Sequence, residues 1–197
     1  MSRPDVRDER IPQIIDAAAE VFSRHGIDGA NMSEIADAAG VSKATIYHYF
    51  TGKEDVIVAL VKRVLSLDRA AVDQLRNGTG SVRERLLTYA AKLAALAIEN
   101  RQLFFVTGEI QARAARVPSL RSLAAEFYRD YLAVLESVIA HGIEQKEVEP
   151  DVDVQAVALG YLSVVEGSMI VGHHMDVDLR ESTISSVSTY IDGFISR

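Results

Sequence analysis

No cysteine occurs in the chain, which removes disulfides, thiolate metal ligands and thiol redox sensing together. A basic excess is missing as well. The 21 Lys and Arg residues stand against 28 Asp and Glu, a formal net charge of −7 that speaks against a non-specific nucleic-acid coat. The opening Met1-Ser-Arg-Pro-Asp5 is polar rather than an apolar leader, and no apolar run reads as long enough to span a bilayer. The expectation is a soluble, cytoplasmic protein with no membrane partner. Alternating strand patterns, internal repeats and low-complexity tracts are not found. Nor is a nucleophile elbow, a phosphate loop or an HExxH motif, so an enzyme or a bound cofactor has little to stand on.

What remains is helical. With 197 residues and 48% apolar side chains, the chain has material for a packed core and for one or two domains. Ile14, Ile15, Ala18, Val21 and Phe22 share a broad face of a first helix over 11–25, with Pro12 in its first turn and Gly26 at its end. Asn31 with Glu34, Thr51 with Glu54 and Ser81 with Glu84 read as capping boxes that open three further helices. The spacing predicts long helices over 53–75, from Ser81 and from Pro118 to His141, with a shorter one over 102–114. Two more follow Glu149-Pro150-Asp151, over 153–174 and 180–195.

Residues 31–50 carry the chemistry. Ile35, Ala36, Ala39, Val41, Ile46 and Tyr49 are spaced to bury one face of two short helices, and Gly40 falls where the turn between them needs positive φ. Ser42 is placed to cap the second helix, whose outer face then offers Lys43, Ala44, Thr45, Tyr47 and His48. This is a helix-turn-helix with a second helix sized for the DNA major groove. Residues 1–53 hold six basic and eight acidic side chains, so a few placed groups must carry the binding rather than bulk charge. Lys43 and Thr45 suit base edges, guanine O6/N7 and a thymine methyl respectively, and Ala44 can approach a thymine methyl. Arg3, Arg7 and Arg10 lie on an expected flexible arm within reach of phosphate or a minor groove.

Ile14-Ile-Asp-Ala-Ala-Ala-Glu-Val-Phe22, Gly26, Ile35-Ala36, Ala39-Gly-Val-Ser42, Thr45-Ile-Tyr-His-Tyr-Phe50 and Lys53-Glu54 together resemble the N-terminal domain of TetR-family transcriptional regulators. The resemblance implies an all-α fold with a DNA-binding domain over 1–52 and a helical effector-binding and dimerisation domain over 53–197. It implies a homodimer joined through the last two helices and a pseudo-palindromic double-stranded operator. It also implies a small-molecule effector bound in the C-terminal body, apolar or amphipathic, that releases DNA. By residue type and by the family pattern, Ser33, Ser42, Tyr47, His48 and Lys53 are expected on phosphate. Helix 53–75 is the expected lever between the two domains.

The C-terminal body is less specific. Tyr89, Phe104, Phe105, Tyr128 and Met169 suit an apolar cavity between helices, as they suit an ordinary core. Glu109, Gln111 and Glu166 are polar within apolar stretches. Glu166 shares a helix face with His173 and either orients a ligand or pairs across the dimer. His173 and His174 point about 100° apart and do not easily serve one ion, so no metal site is expected. Gly160, Ser163 and Gly167 suit close helix–helix approach. Two other readings stay open: a DNA-bound protein of the same fold that answers to a protein partner, and a helical enzyme or metal protein with a vestigial helix-turn-helix.

Overall fold

The computed structural model describes the backbone of residues 6–196, with side chains from Arg10 onward, those of Asp68 and Phe105 excepted. Among the described residues nine helices follow one another. They are α1 (Val6–Gly29), α2 (Met32–Ala38), α3 (Lys43–Tyr49), α4 (Lys53–Asn77), α5 (Val82–Glu99), α6 (Arg101–Ala114), α7 (Pro118–Glu144), α8 (Val154–His174) and α9 (Leu179–Ile191). The architecture is all-α, and seven of the nine helices match their expected positions closely. α1 differs because residues 6–10 are helical rather than a loose arm. Arg10 lies in that helix and donates to Gln13 Oε1 at 3.1 Å, Arg7 is part of it, and Arg3 lies outside the described residues. α9 ends early because the chain turns to pair with the segment after α7. Val148 and Ile195 form an antiparallel bridge, flanked by bonds from Glu149 N–H to the Phe194 carbonyl and from Ser196 N–H to the Glu147 carbonyl.

The helices divide into two compact units. The first comprises Met1–Ser66 with Asn100–Leu123. Its core is built on Phe22, Ile14, Ile27, Ile35, Ile46, Ile57 and Leu60, all essentially inaccessible to solvent, and Val106, Ile110 and Leu120 face the same cluster. That is why α6 and the first turn of α7 belong here, whereas the sequence division at residue 52 groups them with the C-terminal body. Gly26 takes φ 67°, ψ 163° and breaks α1 where the sequence expects its end. The turn after α2 closes as a Schellman motif: Gly40 (φ 63°) donates to the Asp37 carbonyl and Val41 to that of Ala36. Asn31 and Glu34 form the expected capping box. The Thr51 box is corrected: Thr51 donates its N–H and hydroxyl to Asp55 one residue further on, not to Glu54. These bonds, the hydroxyl's first, hold the Asp55 carboxyl below its usual range.

The second unit comprises Leu67–Glu99 with Ala124–Arg197. Here α9 packs on α5 and α8. Tyr161, fully buried on α8, donates its hydroxyl to the Leu86 carbonyl of α5 at 2.6 Å, and burial raises its phenol pKa. Gly160 admits the ring of Tyr190: a Cβ there would stand 2.0 Å from the Tyr190 hydroxyl oxygen, which donates to the Val157 carbonyl. Gly167 instead faces open space. The expectation of no membrane-length apolar run is also corrected. The 21-residue α8 is long and apolar enough to cross a bilayer by length and composition, and only 28% of its most apolar window is buried. Leu159, Ile170 and Val171 stand out on it, each 43–55% exposed.

Candidate nucleic-acid interface

The second helix of the helix-turn-helix, α3, is held by both ends and by its inner face. Ser42 is its N-cap, accepting from the Thr45 amide at 3.0 Å. Ile46 is fully buried beneath it, and Phe50, buried to 6% exposure, closes its end. Tyr49 packs on the same core as the sequence spacing expects. The outer face consists of Lys43, Ala44, Tyr47 and His48, all exposed, with Tyr47 at 52%. An exposed phenol on a helix whose opposite side is sealed in a core has solvent, or a partner from solvent, as its surroundings.

Two further side chains of the expected interface also have partners within the fold. Thr45 is half-buried, and its hydroxyl lies 2.8 Å from that of Ser42 in a mutual hydrogen bond, so its polar group is directed at the cap. Lys53 is engaged at the end of α1. Its ammonium donates to three carbonyls in the last turn of α1 and just beyond it, Ile27 at 2.7 Å, Ala30 at 2.9 Å and Asp28 at 3.2 Å. An ammonium has three N–H donors, and all three are used within the fold. Lys53 thus closes the α1 C-terminus, where a cation is favoured by the helix dipole. Ser33 is half-buried in the first turn of α2, its amide bonded to Asn31 Oδ1.

Of the side chains expected around an effector, the second unit brings Tyr128 and Glu166 together. The Tyr128 hydroxyl donates to Glu166 Oε1 at 2.8 Å, and Phe127 packs edge-on against Tyr128, the ring centroids 5.7 Å apart. Tyr89 is buried with its ring 5.1 Å from that of Tyr131. Met169 is buried to 7% exposure, and His173 is half-buried with its ring edge toward His174. Phe104 belongs to the first unit, and the side chain of Phe105 lies outside the described ones. Tyr89 also borders a polar cleft of about 330 Å³ at the α4–α5 turn, with Arg85, Lys92 and Gln74. Among the described residues no group of three or more metal-ligating side chains converges.

Burial raises the Glu166 carboxyl pKa, and the Tyr128 hydrogen bond partly opposes it. The folded state therefore binds this proton more tightly than the unfolded chain. That contribution to stability is lost as pH rises from the ordinary carboxylate range through the raised value. Glu166→Gln should flatten this part of the stability curve and raise the melting temperature at neutral pH, read by thermal denaturation between about pH 4 and 8.

Comparison with known proteins decides the family. Residues 14–60 match the family model of bacterial regulatory proteins of the tetR family, and residues 82–196 match the C-terminal model of the BetI-type transcriptional repressors. The chain belongs to the tetR family of bacterial regulatory proteins. It is 31% identical over 143 residues to the fatty acid metabolism regulator protein of Bacillus subtilis, 73% of each chain. Among solved structures it is similar to the transcriptional regulator FadR from Bacillus subtilis in complex with stearoyl-CoA. The TM-score is 0.79 at 26% identity, over 92% of this chain and 98% of that one. A TetR transcription regulator from Haloarcula marismortui shares the fold at TM-score 0.84 and 22% identity, over 96% of this chain and all of that one.

As a tetR-family member the protein is a DNA-binding transcriptional regulator, not an enzyme. The family model spans α1 to the first turns of α4 and so includes the whole exposed face of α3. Sequence reasoning did not anticipate three contacts around it. Gln13 Nε2 donates to the Ala39 carbonyl at 2.7 Å, Glu109 accepts from the Ile27 amide at 2.7 Å, and Arg113 pairs with Asp28 and Glu54. The polarity of Glu109 within an apolar helix was the only signal of the second.

Proposed function

We propose that this tetR-family regulator is a homodimeric repressor that leaves a pseudo-palindromic operator when it binds a long-chain acyl thioester. The effector reading rests on one observation, the likeness over nearly the full length to a FadR solved with stearoyl-CoA. The relation to a fatty acid metabolism regulator agrees with it. Lys43, Ala44, Tyr47 and His48 read and grip the major groove from α3, and Ser33 and Ser42 approach phosphate. Two-fold symmetry then requires the paired α3 helices to lie about 34–36 Å apart, one turn of duplex. Bound to chromosomal operators, the protein acts in the cytoplasm.

The dimer forms through α8 and α9. What supports it is the exposed stripe on α8, where Leu159, Ile170 and Val171 share a face with Ser163 and Gly167, whose missing side chain leaves room for a close helix. A second copy covers that apolar surface. The thioester end of the acyl chain lies beside Tyr128 and Glu166, where the Tyr128 hydroxyl, turning from Glu166, donates to the neutral thioester carbonyl, while a second carboxylate next to the buried Glu166 carboxyl would add a further charge to desolvate. The thioester must bind better to a conformation that fits DNA poorly, and by linkage DNA weakens its binding by the same factor.

An operator fragment recovered by genomic selection, labelled for fluorescence anisotropy, provides the test. Stearoyl-CoA is expected to release the protein at micromolar concentration while coenzyme A alone and free stearate do not. Release by none of the three, with the operator still bound, rejects the effector reading.

A further inference from the structure

The DNA-reading hairpin, residues 31–50, enters from the turn after Gly26 and leaves into α4 at Lys53. The segments that flank it, 27–30 and 53–54, lie more than twenty residues apart in sequence and must be brought to a fixed separation for α3 to have a fixed pose. Lys53 joins them directly through the carbonyls of Ile27, Asp28 and Ala30. α6 reaches the same place from outside the hairpin. The Arg113 guanidinium, 24% exposed, forks between Asp28 at the hairpin's entry and Glu54 at its exit, the latter at 3.3 Å. One helical turn earlier Glu109 accepts the Ile27 amide at 2.7 Å, with its other oxygen 3.4 Å from where a Cβ on Gly26 would stand. Val106 and Ile110 anchor this stretch of α6 in the common core.

The geometry points to Arg113 and Glu109 as positioning residues for DNA recognition: α6 holds both ends of the reading hairpin and fixes the pose of α3. This rests on the assignment of α3 as the DNA-facing helix. Arg113 suits the task because a planar guanidinium offers donors in a rigid fork to two carboxylates at once, which a lysine ammonium does not reproduce. The partner carboxylates Asp28 and Glu54 are themselves exposed, at 92% and 59%, so the pair contributes orientation more than stability.

The test uses the full-length protein and the selected operator fragment, with Arg113→Ala, Arg113→Lys, Glu109→Ala and Glu109→Gln. Arg113→Ala and Arg113→Lys should each lower specific operator affinity about tenfold or more while leaving affinity for random duplex unchanged. Non-specific binding needs charge but no fixed pose, and a merely structural defect would lower both. The salt dependence decides between positioning and direct contact. Positioning leaves the slope of log affinity against log salt as in the wild type, whereas loss of a phosphate contact reduces it by about 0.9 for each contact. Glu109→Ala should reduce specific affinity and speed amide exchange at Ile27, and Glu109→Gln, which keeps an acceptor, should retain most of both. Wild-type specific affinity in both Arg113 variants, or a reduced salt slope, overturns the inference. Should Arg113→Ala not fold, Arg113→Lys and the Glu109 pair decide by the same readouts. If the wild type selects no operator, or Tyr47→Ala binds it normally, the fault lies in the DNA-face assignment and not in the role of α6.

Discussion

Tyr47→Ala is expected to reduce operator affinity by about two to four orders of magnitude with the fold intact. Tyr47 is 52% exposed on α3, and its ring is not part of the hydrophobic cluster that Ile46, Tyr49 and Phe50 join. Removing an exposed side chain of this kind changes stability by about 0.5 kcal/mol or less. A hydrogen bond to a charged group contributes about 1.5–3 kcal/mol, and a two-fold reader loses it at both half-sites, so the loss doubles to about 3–6 kcal/mol. Gel shift or anisotropy on a variant with wild-type helicity and melting temperature gives the answer. Wild-type affinity in that folded variant would remove Tyr47, and with it the outer face of α3, from the interface.

Ile170→Glu is expected to turn the protein into a monomer and to cost it the operator at the same time. Ile170 is 43% exposed on α8, on the face shared with Leu159 and Gly167, so the substitution has little to disturb within one chain. In a two-fold interface, however, the new carboxylates come in symmetric pairs, desolvated and without cations. An unpaired charge at such a site costs about 3–5 kcal/mol, enough to weaken the dimer about a hundredfold or more. Light scattering after size exclusion measures the mass, and anisotropy measures the operator affinity that depends on two linked readers. A variant that remains dimeric would place the interface elsewhere.

The sequence was most legible where local rules act alone. Capping boxes at Asn31 and Ser81, the positive φ of Gly40 and the start of α7 at Pro118 depend on neighbours within a few residues, and the structure has them as expected. Less was legible where a side chain could choose among distant partners. Lys53 has the type and the family position of a phosphate ligand, yet three carbonyls 23 to 26 residues earlier take its protons. The place of α6 beside α1 was hidden for the same reason. Val106 and Ile110 read only as an apolar helix face, and no periodicity says which core such a face will join.

The engagement of Lys53 bears on what recognition costs. A reading hairpin whose ends are already tied, with its caps and inner face already satisfied, has few torsions left to freeze when it meets a groove. The ordering entropy that would oppose association is spent during folding instead, when the core of Phe22, Ile35 and Ile46 forms. For a module with more acidic than basic side chains, such pre-organisation substitutes for charge: affinity comes from contacts held ready rather than from attraction at a distance.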